Sequence, residues 1–192
     1  MDIILTIIGI SLILPLYPAI ALLVLFDVGS PILFWQQRAG WRMKTFLLYK
    51  FRTLRQPIDE KGCVLSDAAR MSRIGGMLRK SRVDELPQLL SIIVGDMSLI
   101  GPRPLLPRDE PIDSRLRLSI RPGVTGWAQV HGNDLLTPVE RNALDCWYIK
   151  HASLRVDAQI LYKTCKVVFH GSRRDEKIIE AACAWALEEK IS

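Results

Sequence analysis

The sequence has few cysteines and histidines, and neither type forms a recognisable group. Its 192 residues include four cysteines and three histidines. Cys63, Cys146, Cys165 and Cys183 show no CxxC spacing, and the histidines do not cluster with them. This pattern excludes a disulfide framework and a zinc site, and it indicates reduced thiols in a cytosolic compartment. The sequence also has no internal repeat and no low-complexity segment, and its length of 192 residues predicts one compact domain with a sizeable core.

Charge is absent from residues 3–26, an apolar stretch near the N-terminus. At about 1.5 Å per residue a helix of this length reaches about 36 Å, which is enough for a hydrocarbon core of about 30 Å. No basic segment precedes it and no small-residue cleavage site follows, so a signal peptide is not expected. Pro15 and Pro18 suit either a kinked span or a helix that bends and returns to the same face.

Basic residues crowd after this stretch, and by the positive-inside rule they place the following chain in the cytoplasm. We therefore expect a membrane-embedded helix over residues 1–27 and a cytoplasmic domain over residues 28–192. The net charge of +6 permits nucleic acid, anionic lipid or a phosphorylated substrate as partner. Nucleic acid is not expected, because the sequence has neither a recognition-helix motif nor interleaved aromatic and basic residues.

The remaining patterns predict an α+β fold that is mostly α, with one small β-hairpin and several amphipathic helices. The hairpin strands are expected at 32–34 and 46–51. A short helix should start at Ser66 or Asp67, and Gly75-Gly76 should break the chain. Longer helices are expected at 137–151, 156–169 and 175–190, the second with an apolar stripe and an end at Gly171. Gly126 and Gly132 would allow close approach of the backbone to a ligand.

The stretch 81–104 carries the strongest chemical signal. Asp84 and Glu85 stand beside basic residues, and Asp84 is expected to cap a helix with Pro87 in its first turn. Leu86, Leu89, Leu90 and Ile93 recur at helical spacing and should face a core. The following Gly/Pro-rich turn presents Arg103 between two prolines.

Two carboxylates at a helix N-terminus, followed by an arginine in a rigid turn, suit a metal-bound phosphate. Neighbouring side chains on a helix diverge by roughly 100°, which favours two separate roles for the two acids. One would attack phosphorus or hold a metal, and the other would handle protons or hold the metal. Taken alone, an Asp-Glu pair before a leucine run is more often a simple helix cap.

Five motifs in order decide between these interpretations. They are FWQQRAG at 34–40, FLLYKFRT at 46–53, DELPQL at 84–89, GDMSLIGPRP at 95–104 and RPGVTGWAQV at 121–130. With these motifs the chain resembles the bacterial sugar transferases, specifically the monotopic phosphoglycosyl transferases, over about residues 1–170.

The resemblance implies an enzyme that moves a sugar 1-phosphate from a UDP-sugar to polyprenyl (undecaprenyl) phosphate, in the initiating step of exopolysaccharide, capsule, O-antigen or glycoprotein glycan assembly. Asp84 would be the nucleophile that forms a phosphosugar ester and releases UMP. Asp84 and Glu85 would be the catalytic pair and would hold Mg²⁺, which needs only one or two carboxylates plus phosphate oxygens. The implied phosphate- or substrate-binding residues are Arg79, Arg103, Lys50, Arg52, Arg121 and Gln129.

The resemblance also implies a cellular location and a set of binding partners. The catalytic domain would lie on the cytoplasmic face of the inner membrane, and the first helix would be re-entrant, bent at Pro15 or Pro18. Anionic lipid would contact the basic residues. A homodimer and downstream glycosyltransferases are further partners that such an enzyme could have.

The sequence departs from the family pattern at several positions. His131-Gly132-Asn133-Asp134 replaces the usual Asn-Gly-Arg-Asn, Arg82 replaces a serine, and the segment 105–120 is short. If the 131–134 loop reads sugar or nucleotide, the donor differs from the common ones. Two alternatives follow: a phosphotransferase with another activated donor, and a catalytically silent homologue that binds polyprenyl phosphate or tethers partners.

Overall fold

The computed structural model describes Thr6, Ser11 and residues 13–58, 62–111 and 115–191. This part is mostly helical with two small sheets, which confirms the predicted α+β class. It divides into two compact units that alternate along the chain. The first unit comprises Met1–Gln36 and Leu47–Ile93, and the second comprises Gln37–Phe46 and Val94–Ser192. The predicted boundary between residues 27 and 28 stays a prediction.

The first helix with a complete description, α1, spans Leu16–Asp27. It begins after a turn at Leu14 and Pro15, which is one of the two positions where the sequence predicts a break. Pro18 lies in the first turn of α1, where its missing N–H is tolerated. Among the described residues, no helix has the length and apolar character that crossing a membrane requires. Most of the predicted membrane segment before residue 13 lies outside the described residues, so embedding stays a prediction.

The core of the first unit gathers around α1. Ile20, Val24 and Val28 pack with Phe51 and Leu78, and all five side chains are buried. Burial of each aliphatic side chain contributes about 2 kcal/mol relative to exposure. This stripe therefore fixes α1 to the elements that carry Phe51 and Leu78.

The predicted hairpin is confirmed, with a longer first strand than expected. Strand β1 spans Leu33–Ala39 and β2 spans Thr45–Phe51, joined through a 3₁₀ turn at Trp41–Met43. Gly40 closes the turn by donating its N–H to the carbonyl of Lys44 at 2.9 Å. A Cβ at Gly40 would lie 2.8 Å from that same carbonyl oxygen, so only glycine fits there.

The predicted break at Gly75-Gly76 is wrong. Helix α2 spans Asp67–Arg70, as predicted, and α3 runs through both glycines over Arg73–Lys80. A Cβ on Gly75 would lie 2.2 Å from the carbonyl oxygen of Thr53. Gly75 is therefore needed for close packing of the helix against a neighbouring strand end, not to end the helix.

The predicted cap of the central stretch is wrong, and its predicted core face is only partly right, since Leu86 packs against the buried cluster around α1. A 3₁₀ helix spans Val83–Gln88 and continues into α4, Leu89–Val94, so Asp84 lies inside the first turn instead of capping it. Leu90 is 52 % exposed and Ile93 is 45 % exposed, whereas Ile92 is buried. A 3₁₀ helix has 3.0 residues per turn instead of about 3.6, so the apolar stripe rotates away from its expected direction.

The second unit contains a parallel pair of short strands. Strand β3, Ser98–Ile100, pairs with β4, Gly123–Thr125, in parallel. A Cβ on Gly126 would lie 2.1 Å from the carbonyl oxygen of Gly101, and one on Gly132 would lie 2.6 Å from Leu136. The expectation that Gly126 and Gly132 bring the backbone close to a ligand is therefore corrected, because protein atoms occupy that space.

Four helices complete the second unit: α5 Trp127–Val130, α6 Pro138–His151, α7 Leu154–His170 and α8 Glu176–Ile191. Short 3₁₀ segments lie at Pro107–Asp109, Arg117–Ser119 and Asn133–Leu135. The three long helices confirm the sequence prediction, and Thr137 with Glu140 forms a capping box on α6. The predicted apolar stripe of α7 is only partly right, since Ile160 is fully buried but Phe169 is exposed.

Candidate active site

The Asp84–Glu85 pair lies in the first turn of the 3₁₀ helix in the first unit, and both side chains are buried. The residue that precedes the helix, Arg82, has a φ of 60°. This left-handed conformation costs about 1 kcal/mol for a residue other than glycine. Backbone strain of this kind is concentrated at functional sites.

Asp84 has an oxygen without a partner. Its Oδ1 atom is buried and makes no hydrogen bond within the described part of the chain. Burial raises the pKa of Asp84, and the charge of Glu85 raises it further, whereas Lys50, Arg79 and Arg82 lower it. The carboxylate therefore combines a partly desolvated state with a free acceptor and three cations nearby.

Glu85 has different surroundings from Asp84. Lys50 donates from Nζ to Oε1 of Glu85 at 2.6 Å, and Arg82 lies 3.5 Å from Oε2. One carboxylate is thus held by charged donors while an oxygen of the other remains available. This difference is what the two-role prediction for the pair requires.

Arg79 is fixed at the end of α3, next to this pair in sequence. Its Nε donates to Oγ1 of Thr53 at 2.9 Å, and its charge opposes the rise in the pKa of Asp84. The structure therefore groups Arg79 and Lys50 electrostatically with Asp84, and Lys50 also contacts Glu85.

Arg52 is bound to the backbone. Its three guanidinium nitrogens donate to the carbonyls of Val28 at 2.9 Å, Leu54 at 3.1 Å and Pro31 at 3.2 Å. These contacts tie the end of β2 to the turn that follows α1. They give Arg52 a structural role, and its contact with phosphate stays a prediction.

Arg103, Arg121 and Gln129 belong to the second unit. Arg103 lies in the turn after β3, and the Arg121 guanidinium lies 5.4 Å from the centre of the Trp41 ring. Gln129 is buried, and neither amide atom has a hydrogen-bond partner among the described residues. An unsatisfied buried polar group costs about 1–3 kcal/mol, so this amide suits a polar ligand.

Sequence reasoning missed a buried ion network that holds the Arg103 turn. Arg117, which is 1 % exposed, bonds both oxygens of Glu110, at 2.6 and 2.8 Å, and bonds Asp145 at 3.0 Å. Arg117 also donates from Nη2 to the carbonyl of Arg103. The network therefore connects the turn, the segment after it and helix α6.

The charges in this network stabilise one another. Burial lowers the pKa of Arg117, but Asp145 and Glu110 outweigh this effect and raise it overall. Burial raises the pKa of Asp145 to about 6, and Arg117 opposes the rise. Both partners are therefore ionised at neutral pH. No local pattern could have indicated the pair, because Arg117 and Asp145 are 28 positions apart.

His131, the first residue of the unusual 131–134 loop, lies in the core. Its Nδ1 is 2.8 Å from the carbonyl of Trp127, and its Nε2 is 2.6 Å from Nζ of Lys163. Burial lowers the pKa of His131 to about 4. The imidazole is therefore neutral and accepts from Lys163. A role for this loop in donor selection stays a prediction.

Few side chains near Asp84 are available as metal ligands. The described residues contain no group of three or more His, Cys, Asp or Glu side chains able to hold a metal ion. A cation at Asp84 would therefore be held by one or two carboxylates. The unpartnered Oδ1 of Asp84 is the available protein ligand, and Glu85 is the adjacent one.

Comparison with known proteins gives the same family as the motifs. The model of the family described as bacterial sugar transferase matches residues 1–171. An uncharacterised sugar transferase, EpsL, from Bacillus subtilis strain 168 is 42 % identical over 144 residues, which cover 73 % of this chain and 71 % of that protein.

Two further relatives have more informative names. UDP-N-acetylgalactosamine-undecaprenyl-phosphate N-acetylgalactosaminephosphotransferase of Aeromonas hydrophila is 38 % identical, over 89 % of this chain and 43 % of its own length. Exopolysaccharide production protein ExoY of Sinorhizobium fredii is 34 % identical, over 87 % of this chain and 83 % of its own. The chain spans less than half the length of several curated relatives that it matches. The resemblance stated from the five motifs is confirmed: the chain belongs to the bacterial sugar transferase family.

Proposed function

We propose that the chain transfers a sugar 1-phosphate from a UDP-sugar to polyprenyl phosphate, such as undecaprenyl phosphate, and releases UMP. Family membership and the name of the Aeromonas relative support this reaction class. The single observation that carries the mechanism is the buried Oδ1 of Asp84, which has no hydrogen-bond partner among the described residues and lies under the influence of three cations.

The reaction proceeds in two displacements at one phosphorus atom. An oxygen of Asp84 forms a bond to the β-phosphorus of the donor, and the bond from that phosphorus to the bridging oxygen breaks. UMP leaves with the bridging oxygen, and the sugar phosphate remains esterified to Asp84. A phosphate oxygen of the polyprenyl phosphate then attacks the same phosphorus, and the bond to Asp84 breaks.

The surroundings of Asp84 suit a nucleophile. Desolvation raises the free energy of the carboxylate, which makes it more reactive, and it is the largest cause of the raised pKa. Lys50, Arg79 and Arg82 counteract that rise and favour the ionised form. The same cations would attract the diphosphate of the donor, and guanidinium groups can grip two phosphate oxygens at once.

Glu85, held by Lys50, is preorganised for a supporting role. It would stay fixed while Asp84 forms and breaks its bond. Arg103, Arg121 and Gln129 would bind the donor or the acceptor, and the partner-free amide of Gln129 is suited to a hydroxyl or carbonyl of a substrate.

The carboxylates of Asp84 and Glu85 are suitable ligands for Mg²⁺. This ion is commonly held by one or two carboxylates together with substrate phosphates, and the orphaned oxygen of Asp84 is a suitable protein ligand. The chemistry that the metal supplies when bound is neutralisation of the diphosphate and polarisation of the phosphorus–oxygen bond.

The proposed site of action is the inner membrane, because polyprenyl phosphate is a membrane lipid, and its cytoplasmic face, because basic residues follow the apolar segment. The apolar N-terminal segment would be embedded there as a re-entrant helix, with basic residues on anionic headgroups. The product would initiate assembly of a surface or secreted glycan, in line with the name of the Sinorhizobium relative, an exopolysaccharide production protein.

The reaction is tested by measuring UMP release. Purified full-length chain in nanodiscs is mixed with Mg²⁺, undecaprenyl phosphate and a panel of UDP-sugars, and Asp84→Asn is the control. We expect release from at least one donor in the wild type and none in the variant. If folded protein releases no nucleoside monophosphate from UDP-sugars or from other nucleotide sugars, the proposal is contradicted. The remaining hypothesis is then a catalytically silent homologue that binds polyprenyl phosphate or tethers partners.

A further inference from the structure

A basic cleft lies in the second unit, where helix α7 ends and helix α8 begins. It has a volume of about 600 Å³, which is within the usual range of about 300–1,000 Å³ for small-molecule sites. Val130 and Val167 supply apolar lining, and the other lining residues are mostly charged. Residues 172–177 lie beyond the part of the chain that the family model matches.

The acidic side chains of the cleft are already paired. Asp175 lies 3.3 Å from Nζ of Lys163. Glu176 accepts from Nε of Arg174 at 2.8 Å, and Arg174 also bonds Glu140 at 2.8 Å. Lys163 and Arg174 therefore neutralise the carboxylates that line the cleft. These ion pairs also fix the wall of the cleft in place.

Three cations of the cleft remain uncompensated. Lys166, Arg173 and Lys177 are exposed, and none of them forms an ion pair with any residue that the structure describes. Lys166 instead lies over the ring of Tyr162, at 4.6 Å from its centre. Because the lining cations outnumber the lining carboxylates, the cleft has a net positive charge, and a concave surface of this kind concentrates anions.

Hydrogen bonds to neighbouring segments fix the inner wall of the cleft. Lys163 contacts the neutral His131, which in turn contacts the Trp127 carbonyl, so the lysine is anchored to α5. Arg174 also donates to the carbonyl of Leu135 at 2.7 Å. The connection between α7 and α8 is thus held at Arg174 and at Asp175, whose N–H donates to the carbonyl of His131 at 3.2 Å, and this limits the rearrangement that a ligand would have to induce.

We propose that this cleft binds a phosphate-bearing anion through Lys166, Arg173 and Lys177. A multiply charged phosphate matches a cleft with three unpaired cations in its lining better than a single carboxylate does. The ligand is either a soluble diphosphate or nucleotide, or the phosphate headgroup of a lipid. None of the predicted catalytic residues lines this cleft, so the proposal goes beyond the proposed function and does not depend on it.

Lysine acetylation resolved by mass spectrometry tests the site without using activity. Full-length protein in neutral nanodiscs is treated with acetic anhydride, with and without inorganic pyrophosphate, at matched ionic strength. We expect pyrophosphate to slow acetylation of Lys166 and Lys177 but not of Lys150, which lies outside the cleft. In a second arm, phosphatidylglycerol replaces phosphatidylcholine in the nanodiscs. Protection in that arm alone identifies a lipid headgroup as the source.

Two arginine variants serve as a matched pair because they leave every lysine reporter in place. Arg173→Gln should weaken the protection roughly fivefold, as expected for loss of one charged contact. Arg155→Gln, an exposed arginine on α7 outside the cleft, should leave it unchanged. Absence of protection in both arms, equal protection of Lys150, or full protection in Arg173→Gln would overturn the proposal.

Discussion

Two groups of buried charge in this chain are arranged in opposite ways. In the second unit Arg117 meets Glu110, Asp145 and a backbone carbonyl, so its donors are used by protein acceptors. In the first unit Asp84 is also buried, but its Oδ1 accepts nothing within the described residues. The first group is complete without a ligand, and the second is not.

Whether a buried charge is satisfied by protein partners bears on whether it serves the structure or the proposed chemistry. Burying a charge costs several kcal/mol, and a satisfied network recovers much of that cost within the protein. At Asp84 the cost is only partly recovered, through the nearby cations, and the pKa is raised as a result. In the proposed mechanism the unsatisfied buried carboxylate of Asp84 is the reactive group, whereas the satisfied network around Arg117 supports the fold.

The largest expected effect is on catalysis at Asp84. Asp84→Asn removes the nucleophile, and we expect turnover to fall at least about 10³-fold. The midpoint of chemical unfolding should not fall, because the variant removes a buried charge that is only partly compensated. Turnover within about tenfold of the wild type would contradict the role of Asp84.

The Arg117 network should respond in the opposite way. Arg117→Met leaves Glu110 and Asp145 buried without their cation, and we expect a loss of about 3 kcal/mol in the free energy of unfolding. Chemical denaturation at neutral pH measures it. Removing the acids as well, with Glu110→Gln and Asp145→Asn, should recover part of the loss. A loss below about 1 kcal/mol in the single variant would show that the network does not contribute substantially to the stability of the fold.

His131 is a third buried titratable group, and it differs from Asp84 and Arg117 because it is neutral in the folded protein. Its pKa is lowered to about 4 in the folded protein, from an ordinary value of 6.5. Its contribution to stability is therefore present above pH 6.5 and is lost as the pH falls from there toward 4, by about 3 kcal/mol in total. In His131→Asn this part of the pH dependence should disappear. An unchanged slope between these pH values would contradict a neutral His131.

The smallest effect is expected at an exposed ion pair. Arg108 is 82 % exposed and lies 3.7 Å from Asp109, so water screens the pair. Arg108→Ala should change the free energy of unfolding by less than about 0.5 kcal/mol. A larger change, measured beside Arg117→Met, would mean that burial is not what distinguishes the two kinds of pair.

The sequence predicted the elements that depend on local signals. The hairpin, the Thr137 cap with Glu140 and the end of α7 at Gly171 are all confirmed, because turn and cap chemistry acts over a few residues. The motifs led to the correct family, and the structure groups Asp84, Glu85, Lys50 and Arg79.

Features set by contacts between distant residues were not predicted. The sequence pattern predicts a break at Gly75, but this glycine provides space for the Thr53 carbonyl. The helical spacing predicts Leu90 and Ile93 in the core, but the 3₁₀ geometry before them turns them outward. The pairing of Arg117 with Asp145, like the burial of His131, depends on packing that no local pattern encodes.

The most direct test of the central claim is to detect the sugar phosphate on Asp84. Full-length protein is incubated with Mg²⁺ and the active UDP-sugar without polyprenyl phosphate, and is then analysed by mass spectrometry before and after digestion. The covalent mechanism predicts a mass increase of one sugar phosphate on the peptide that contains Asp84, with an equal amount of UMP released. UMP release that requires polyprenyl phosphate, with no mass increase on the protein, would mean direct transfer and would contradict the covalent mechanism.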